Sequence, residues 1–387
     1  MKSPRTLEGA EHTSSFFPHQ PETSLFSGPF LQENMTTLPQ SATEGKPFSV
    51  THRSVLAIAV PMTLAYLSTP LLGVVDTAVI GRLGDAALIG GIAVGSVLFD
   101  LVFTTFNFLR SGTTGLTAQA LGANDHSEIR ATFLRAIVIA LVAGLAVIVL
   151  KAPLLEFGLA FLGGSDNVQS ATRRYFEVRV YSAPFLLINY AILGWYLGLG
   201  KANTGLFLQL LLNGLNIALS IWFVIGLEWS IEGVAVATVL AEAVTAGAGF
   251  LLVLYTSKNG KWPTWQIVFE RRLLLRMLAV NRDIMIRSFT LLFALAFFTA
   301  RSADQGDTIL AANAILEKLV VVGSYFLDGL ATAAEQLAGR AVGAKYRPAF
   351  DRTLKLTLTW SLAMAAGLAA IYSVAGSFLI DLITVSP

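Results

Sequence analysis

The sequence predicts an all-α protein that crosses a membrane many times, with its helices in two parallel lobes, one complete and one partial. Three observations carry that prediction. Of the 387 residues, 54% are hydrophobic and only 13% are charged, against about 25% charged in an ordinary soluble protein. Apolar runs close to the roughly 20 residues needed to cross a hydrocarbon core recur along the chain. The chain also matches itself: an ungapped shift that lays Asp85 over Gly306 lays Ala-Leu-Gly-Ala-Asn from Ala120 over Ala-Val-Gly-Ala-Lys from Ala341. Internal duplication of this kind is common in polytopic folds.

Taken in order, residues 1–53 are rich in Ser, Thr, Pro, Glu and Gln without apolar periodicity and read as a disordered cytoplasmic tail. No apolar run precedes Val55, so a signal peptide is not expected. Spans are expected at about 55–80, 88–109, 132–150, 180–199, 204–227 and 233–255, which make an N-lobe over 54–257. A basic cytoplasmic loop at 258–282 follows, then spans at about 284–300, 308–330 and 354–374, a partial C-lobe over 283–387. In the register of the repeat the second lobe stops halfway, and the chain is expected to be incomplete. Most Lys and Arg fall on the side of the N-terminus, which places that end in the cytoplasm, with Lys258 to Arg287 as the firmest anchor and Arg179 in an outer loop. Trp195, Tyr196, Trp222, Trp229 and Trp262 lie near span ends, where interfacial belts form. Gly91/Gly95, Gly194/Gly198 and Gly339/Gly343 are small-xxx-small pairs suited to close helix packing.

Composition also excludes. Without cysteine there is no disulfide, thiolate metal site or cysteine nucleophile. Four His, none paired at i,i+4, make a metal site improbable. A net charge of +2 with no basic domain gives no reason to expect nucleic acid. With no His-Glu-x-x-His motif and no Ser–His pair, neither an enzyme nor a catalytic residue is expected.

The chemistry then rests on polar residues inside the spans. An ionised Asp at the bilayer centre costs roughly 2.5–3.5 kcal/mol on insertion scales, so Asp76, in Gly-Val-Val-Asp-Thr-Ala-Val-Ile-Gly, is a candidate for ion or proton handling. Withdrawal from water favours the neutral form of any carboxylate, which suits loading and unloading of H+. Pro61 and Pro70 in the same span invite a bend. Asn189, Asn213 and Asn216 are candidates to share a polar face with Asp76, the last two at i,i+3. Glu242, above Thr238, is a second cavity candidate, and Asp100 in span two needs a partner elsewhere. Arg110, Asp328 and Glu335 lie toward the inner ends of repeat-related spans and are expected to form a gate-closing salt bridge.

Several segments together resemble the multidrug and toxic compound extrusion (MATE) family, and within it the DNA-damage-inducible F branch. They are Leu-Leu-Gly-Val-Val-Asp-Thr-Ala-Val-Ile-Gly at 71–81, Phe-Leu-Arg-Ser-Gly-Thr-Thr-Gly at 108–115, Leu-Asn-Ile-Ala-Leu-Ser-Ile-Trp at 215–222, Asn-Arg-Asp-Ile-Met-Ile-Arg-Ser at 281–288 and Leu-Asp-Gly-Leu-Ala-Thr-Ala-Ala-Glu-Gln at 327–336. The resemblance implies a MATE-like two-lobed bundle, here a six-helix N-lobe and three helices of the second. It also implies an antiporter of the bacterial inner membrane that exchanges H+ or Na+ for small organic cations by alternating access, with no cofactor beyond the coupling ion. Asp76 matches the family's first-helix Asp, the proposed cation or proton site, and Asn213 to Asn216 match the Asn-rich face beside it. Ser220 stands where the family pattern has an acid, which makes Asp76 the sole titrating group of that cluster and favours H+. The competing readings are a flippase for a lipid-linked precursor and an inactive scaffold. The flippase should present several Arg or Lys to a pyrophosphate, and the spans offer chiefly Arg110 and Lys318. Oligomeric state is left open.

Overall fold

The computed structural model describes residues 48–258, 260–303 and 307–383. Most of the expected tail, residues 1–47, lies outside them. Residues 48–51 lead directly into helix α1 (His52–Leu67), two residues earlier than the expected end of the tail. The start is set locally: the Thr51 side chain accepts from the Ser54 amide and the Ser54 hydroxyl reaches back to the Thr51 backbone, a capping box that satisfies donors the first turn leaves free.

Eleven further helices with a role in the packing follow: α2 (Thr69–Gly81), α3 (Ala86–Thr104), α4 (Phe108–Gly122), α5 (His126–Val149), α6 (Lys151–Leu162), α7 (Asp166–Arg179), α8 (Ala183–Gly198), α9 (Ala202–Ile221), α10 (Ile231–Thr256), then, after the single turn Trp265–Val268, α11 (Arg271–Ala303) and α12 (Asp307–Gly343). The last helix is α13 (Arg347–Ile383). No strand occurs among the described residues. Each apolar run read from the sequence falls on one helical segment. Among the described residues, seven segments are long and apolar enough to cross a membrane by length and composition: 52–81, 86–122, 126–149, 166–198, 202–226, 231–256 and 347–376.

Three of these segments are bent. α1 and α2 break at Ser68, just ahead of Pro70, while Pro61 sits inside α1 without interrupting it. α3 passes into α4 through the 3-10 turn Thr105–Asn107, where the Thr105 hydroxyl donates back to the Val102 carbonyl at 2.5 Å. α7 passes into α8 through a second 3-10 turn, Val180–Ser182, just before Pro184. A proline has no amide to give and disfavours helical geometry in the residue before it, so two of the three bends are where the sequence makes them least costly.

Glycines set the tightest packing. A Cβ at Gly194 would strike the Arg110 carbonyl and one at Gly198 the Thr117 side chain, so α8 lies directly on α4. Gly91 and Gly95 do the same for α3 against Ala171 and Tyr175 of α7. The repeat shows itself most clearly at the ends of α4 and α12. Asn124 (φ 55°) and Lys345 (φ 51°) are both left-handed, and the amides of Asp125 and Tyr346 close on the carbonyls of Ala120 (2.9 Å) and Ala341 (3.0 Å). These ends also cross each other symmetrically: a Cβ at Gly122 would strike the Arg340 carbonyl, and one at Gly343 the Gln119 carbonyl.

Some expectations need correction. The basic stretch 258–282 is not all loop: from Arg271 it is already helix, because its charges fall on an amphipathic repeat. The helix holding Arg179 begins at Asp166, well before the apolar run, so Arg179 lies within a helical segment and not in an outer loop. Trp195 and Tyr196 are not belt residues but core, each 1% exposed, with Trp195 Nε1 donating to the Ile129 carbonyl at 3.0 Å. Trp222 and Trp229 are exposed.

Candidate functional site

The face of α9 that carries Asn213, Asn216 and Ser220 repeats at i, i+3, i+7, one stripe of a helix, and that stripe is buried. It faces α1 and α2 on one side and α10 on the other. Asp76 on α2 is 8% exposed and meets the stripe at Ser220. The Ser220 hydroxyl has one proton and two acceptors in range, Asp76 Oδ1 at 3.0 Å and Asn216 Oδ1 at 3.2 Å. Asn216 Nδ2 donates to Thr238 Oγ1 at 3.0 Å, and Thr238 donates to the Val234 carbonyl at 3.0 Å. Asp76 thus ends a short relay that runs from α2 through α9 to α10. Immediately after Ser220 the helix runs into a π-helical turn, Trp222–Gly226, a local widening that often accompanies functional sites. Among the described residues no ion pair joins Asp76 to Arg82, which is exposed.

A cavity of about 870 Å³ lies alongside. It is built at the three bends: Tyr66 and Thr69 flank the first, Thr104 and Asn107 the second, Arg179 and Leu186 the third. Displaced backbone at each bend makes room that straight helices would fill. Glu242, 7% exposed, lines it and accepts from Asn189 Nδ2 at 2.5 Å. Thr245, one turn further on, is 2% exposed and its hydroxyl has no protein partner. Asn213 also lines the cavity, where its Nδ2 donates to the Ser68 hydroxyl at 2.7 Å and latches α9 to the first bend. Arg110 donates through Nη1 to Tyr66 at 2.5 Å and through Nε to Asn107 at 3.2 Å, and the Tyr66 hydroxyl lies 3.0 Å from Thr332 of α12. Arg179 hydrogen-bonds Tyr175 and lies over the Phe99 ring, 4.6 Å from its centroid. Arg287 and Asp328 enter from α11 and α12.

The candidates from the sequence therefore divide. Asp76, Asn216, Ser220 and Thr238 form one buried cluster. Asn213, Asn189 and Glu242 belong to the cavity, and Asn189 serves Glu242, not Asp76. Asp100 is exposed on α3 within electrostatic reach of Arg179. Glu335 lies beside Ser111, itself a lining residue. The expected gate bridge is not formed: Arg110 makes no ion pair within 4.0 Å with Asp328 or Glu335, and its donors go to neutral oxygens. Sequence reasoning missed Arg179, Arg287, Tyr190 and Thr245 as lining residues. For Arg179 a signal was present, since Ala171, Thr172, Tyr175 and Phe176 repeat at helical spacing and extend the helix beneath the charges.

A family model described as MatE matches residues 61–222. The chain is 38% identical over 333 residues to DNA damage-inducible protein F of Escherichia coli (strain K12), which covers 84% of this chain and 72% of that protein. It is 28% identical over 330 residues to Protein DETOXIFICATION 44, chloroplastic, of Arabidopsis thaliana, covering 82% of this chain and 62% of that one. A solved multidrug resistance MATE family transporter of the MOP superfamily, in an outward-facing conformation, superposes with a TM-score of 0.78 at 19% identity, over 87% of this chain and 75% of that one. These similarities, together with a helical bundle bent around a central cavity, place the chain in the MATE family, in the branch of DNA damage-inducible protein F.

Proposed function

We propose that the chain works as a secondary antiporter of the bacterial inner membrane, moving drug-like organic cations outward in exchange for H+. The observation that carries the reading is the relay at Asp76, the one carboxylate of its buried cluster, whose donor can turn to a second acceptor. When Asp76 is charged it accepts from Ser220. When it takes up a proton it becomes a donor to Ser220 Oγ, and the Ser220 proton turns to Asn216 Oδ1. Protonation thereby reverses the sense of the bond between α2 and α9, the helix whose Asn213 also holds the α1–α2 bend. A single carboxylate with one hydroxyl and one amide oxygen suits a proton better than Na+, since hard cations gather several oxygen ligands. Thr238 and Glu242 are one turn apart on α10, so the relay abuts the cavity wall.

The crossing of α4 and α12, where Gly122 and Gly343 each abut a backbone carbonyl, supports an alternating-access reading in which this end is shut. The lining residues Ser111 and Asp328 precede Gly122 and Gly343 by roughly 16 and 22 Å of helix at 1.5 Å per residue. The cavity therefore lies well away from that end, which the charge bias assigns to the cytoplasm. The flippase reading has one observation in its favour, the three cavity arginines, two of which, Arg179 and Arg287, the sequence alone did not place there. Movement of a polyprenyl pyrophosphate, without movement of drug-like cations, would select it.

The test is efflux of a fluorescent lipophilic cation from proteoliposomes under an imposed pH gradient. The wild-type chain is expected to exchange, and Asp76→Asn to fold and insert but not exchange. Undiminished pH-driven exchange in Asp76→Asn sinks the coupling role, and no exchange by either correctly inserted form sinks the exporter reading.

A further inference from the structure

We infer that the central cavity contains a site for an acidic group, built on Arg110 with Arg179 close by, so that its ligands include amphipathic organic acids and zwitterions. The inference rests on the exporter reading only for the direction of movement and stands on binding alone. The charged lining is Arg110, Arg179 and Arg287 against Glu242 and Asp328. Glu242 is already turned toward Asn189. Among the described residues neither Arg110 nor Arg179 forms an ion pair within 4.0 Å, and Asp328 and Glu335 near Arg110, like Asp76 and Asp100 near Arg179, act on them only at a distance.

Arg110 is half-buried and has no close carboxylate partner, and a guanidinium has five donors in a fixed fork. Arg110 spends two of them, on the hydroxyl of Tyr66 and the amide oxygen of Asn107, both neutral. Helix packing does not demand the charge, because in the internal repeat the position of Arg110 is held by Ala331. An arriving carboxylate, sulfonate or phosphate would receive the remaining donors in the planar geometry that suits it. Tyr190 lies within electrostatic reach of Arg110, Arg179 and Glu242, so the basic and acidic groups address one space. The unpartnered Thr245 hydroxyl supplies a further neutral donor at the Glu242 side. Leu186, Leu193, Leu212 and Leu291 provide apolar wall for the body of the ligand. The arrangement fits a molecule with an acidic group at one end, and a zwitterion would use Glu242 as well.

Rhodamine B, which carries a free carboxylate, and its ethyl ester, the same dye without the acid, make the test. Binding of each to the full chain in nanodiscs is followed by fluorescence anisotropy. The free acid is expected to bind at least about tenfold tighter than the ester, the factor that one charge-assisted fork is worth. Arg110→Gln should reduce the preference for the acid over the ester to about twofold or less, with Arg110→Lys intermediate. Because Arg110→Gln loosens the Tyr66 contact, Arg179→Gln is the second variant and should also narrow the preference. Equal or tighter binding of the ester by the wild-type chain, a preference that survives both substitutions, or no binding of either dye overturns the proposal. Competition by dioctanoyl phosphatidate would support the site with a lipid phosphate as a source of the acid. Competition by soluble organic acids alone would support it with drug-like anions. Binding as expected without transport of either dye would fail the exporter reading and leave the site standing, whereas transport of the ester with no preference for the acid would do the reverse.

Discussion

At Ser220 two oxygens compete for one proton, and the consequences of removing that proton are specific. Ser220→Ala leaves Asp76 buried without its hydroxyl donor, a loss of about 1–3 kcal/mol for an unsatisfied buried group. The thermal unfolding midpoint of the solubilised chain should fall, and pH-driven exchange should slow. If the bond to Asp76 is the cause, Ser220→Ala should cost much less when Asp76 is already Asn, a coupling that a double-mutant cycle reads directly. Additive losses would show that Ser220 acts elsewhere. Much of this cluster was legible in the sequence. A carboxylate in an apolar span marks itself by its solvation cost, and asparagines at i,i+3 mark a polar stripe. What sequence reasoning could not supply was partner choice: Asn189 lies within reach of Glu242, and only the rotation of α8 against α10 decides that. Arg179 was misplaced for a related reason, because hydropathy ends a span at the first dense charges while a helix continues beneath them if its buried face persists.

Helices are where the repeat becomes physical. The short matching motif at Ala120 and Ala341 carries little weight as a string of letters. Its meaning lies in two helix ends with the same left-handed residue, the same closing hydrogen bond and reciprocal glycine contacts, Gly122 on the Arg340 carbonyl and Gly343 on the Gln119 carbonyl. Neither glycine has room for a Cβ against a backbone carbonyl that cannot rotate away. Gly343→Leu should therefore force α4 and α12 apart at a cost of about 1–3 kcal/mol, the usual penalty of overpacking. The chain has no cysteine, so a single Ala120→Cys probe is unambiguous. Ala120 is 5% exposed, and its reaction with a maleimide should be slow in the parent and several-fold faster with Gly343→Leu. Unchanged labelling would mean that the crossing is not what seals this end. The bends were only partly readable. Pro70 and Pro184 announce two of them, but the turn at Thr105–Asn107 is a Thr-Phe-Asn run with no breaker, and a hydroxyl bonded back to its own helix is invisible until the rotamer is known.

For the molecule as a whole, the orientation of the spans decides what the cavity faces. Helical segments alternate in direction, so the turns at 123–125, 199–201 and 344–346 lie on one side together with the connection after α10, and those at 82–85, 163–165 and 227–230 lie on the other. The first side carries Lys258, Lys261, Arg271 and Arg272, and Arg135 pins its connection by donating to the Ile267 and Val268 carbonyls at 2.8 and 2.9 Å while pairing with Glu128 at 2.6 Å. The second side carries Asp85, Asp166, Glu228 and Glu232, with Arg82, Lys151, Arg173 and Arg174 as its basic residues, two of them paired with Glu156 and Glu232. Basic residues near span ends are retained in the cytoplasm, so the first side should be inside. In the cysteine-free chain, Glu228→Cys, at an exposed position, should react with a membrane-impermeant maleimide in intact cells, and Lys258→Cys only after permeabilisation. With that orientation the α4–α12 crossing should lie on the inner side, and the cavity in this state should be reached from outside. Leu291→Cys, at a lining position 62% exposed, should then label in intact cells and be protected by a bound ligand. Labelling of Lys258→Cys but not Glu228→Cys in intact cells would invert the molecule and make this state one that loads from the cytoplasm. Labelling of Leu291→Cys only after permeabilisation, with Glu228→Cys reactive outside, would keep the orientation and place the seal at the opposite end.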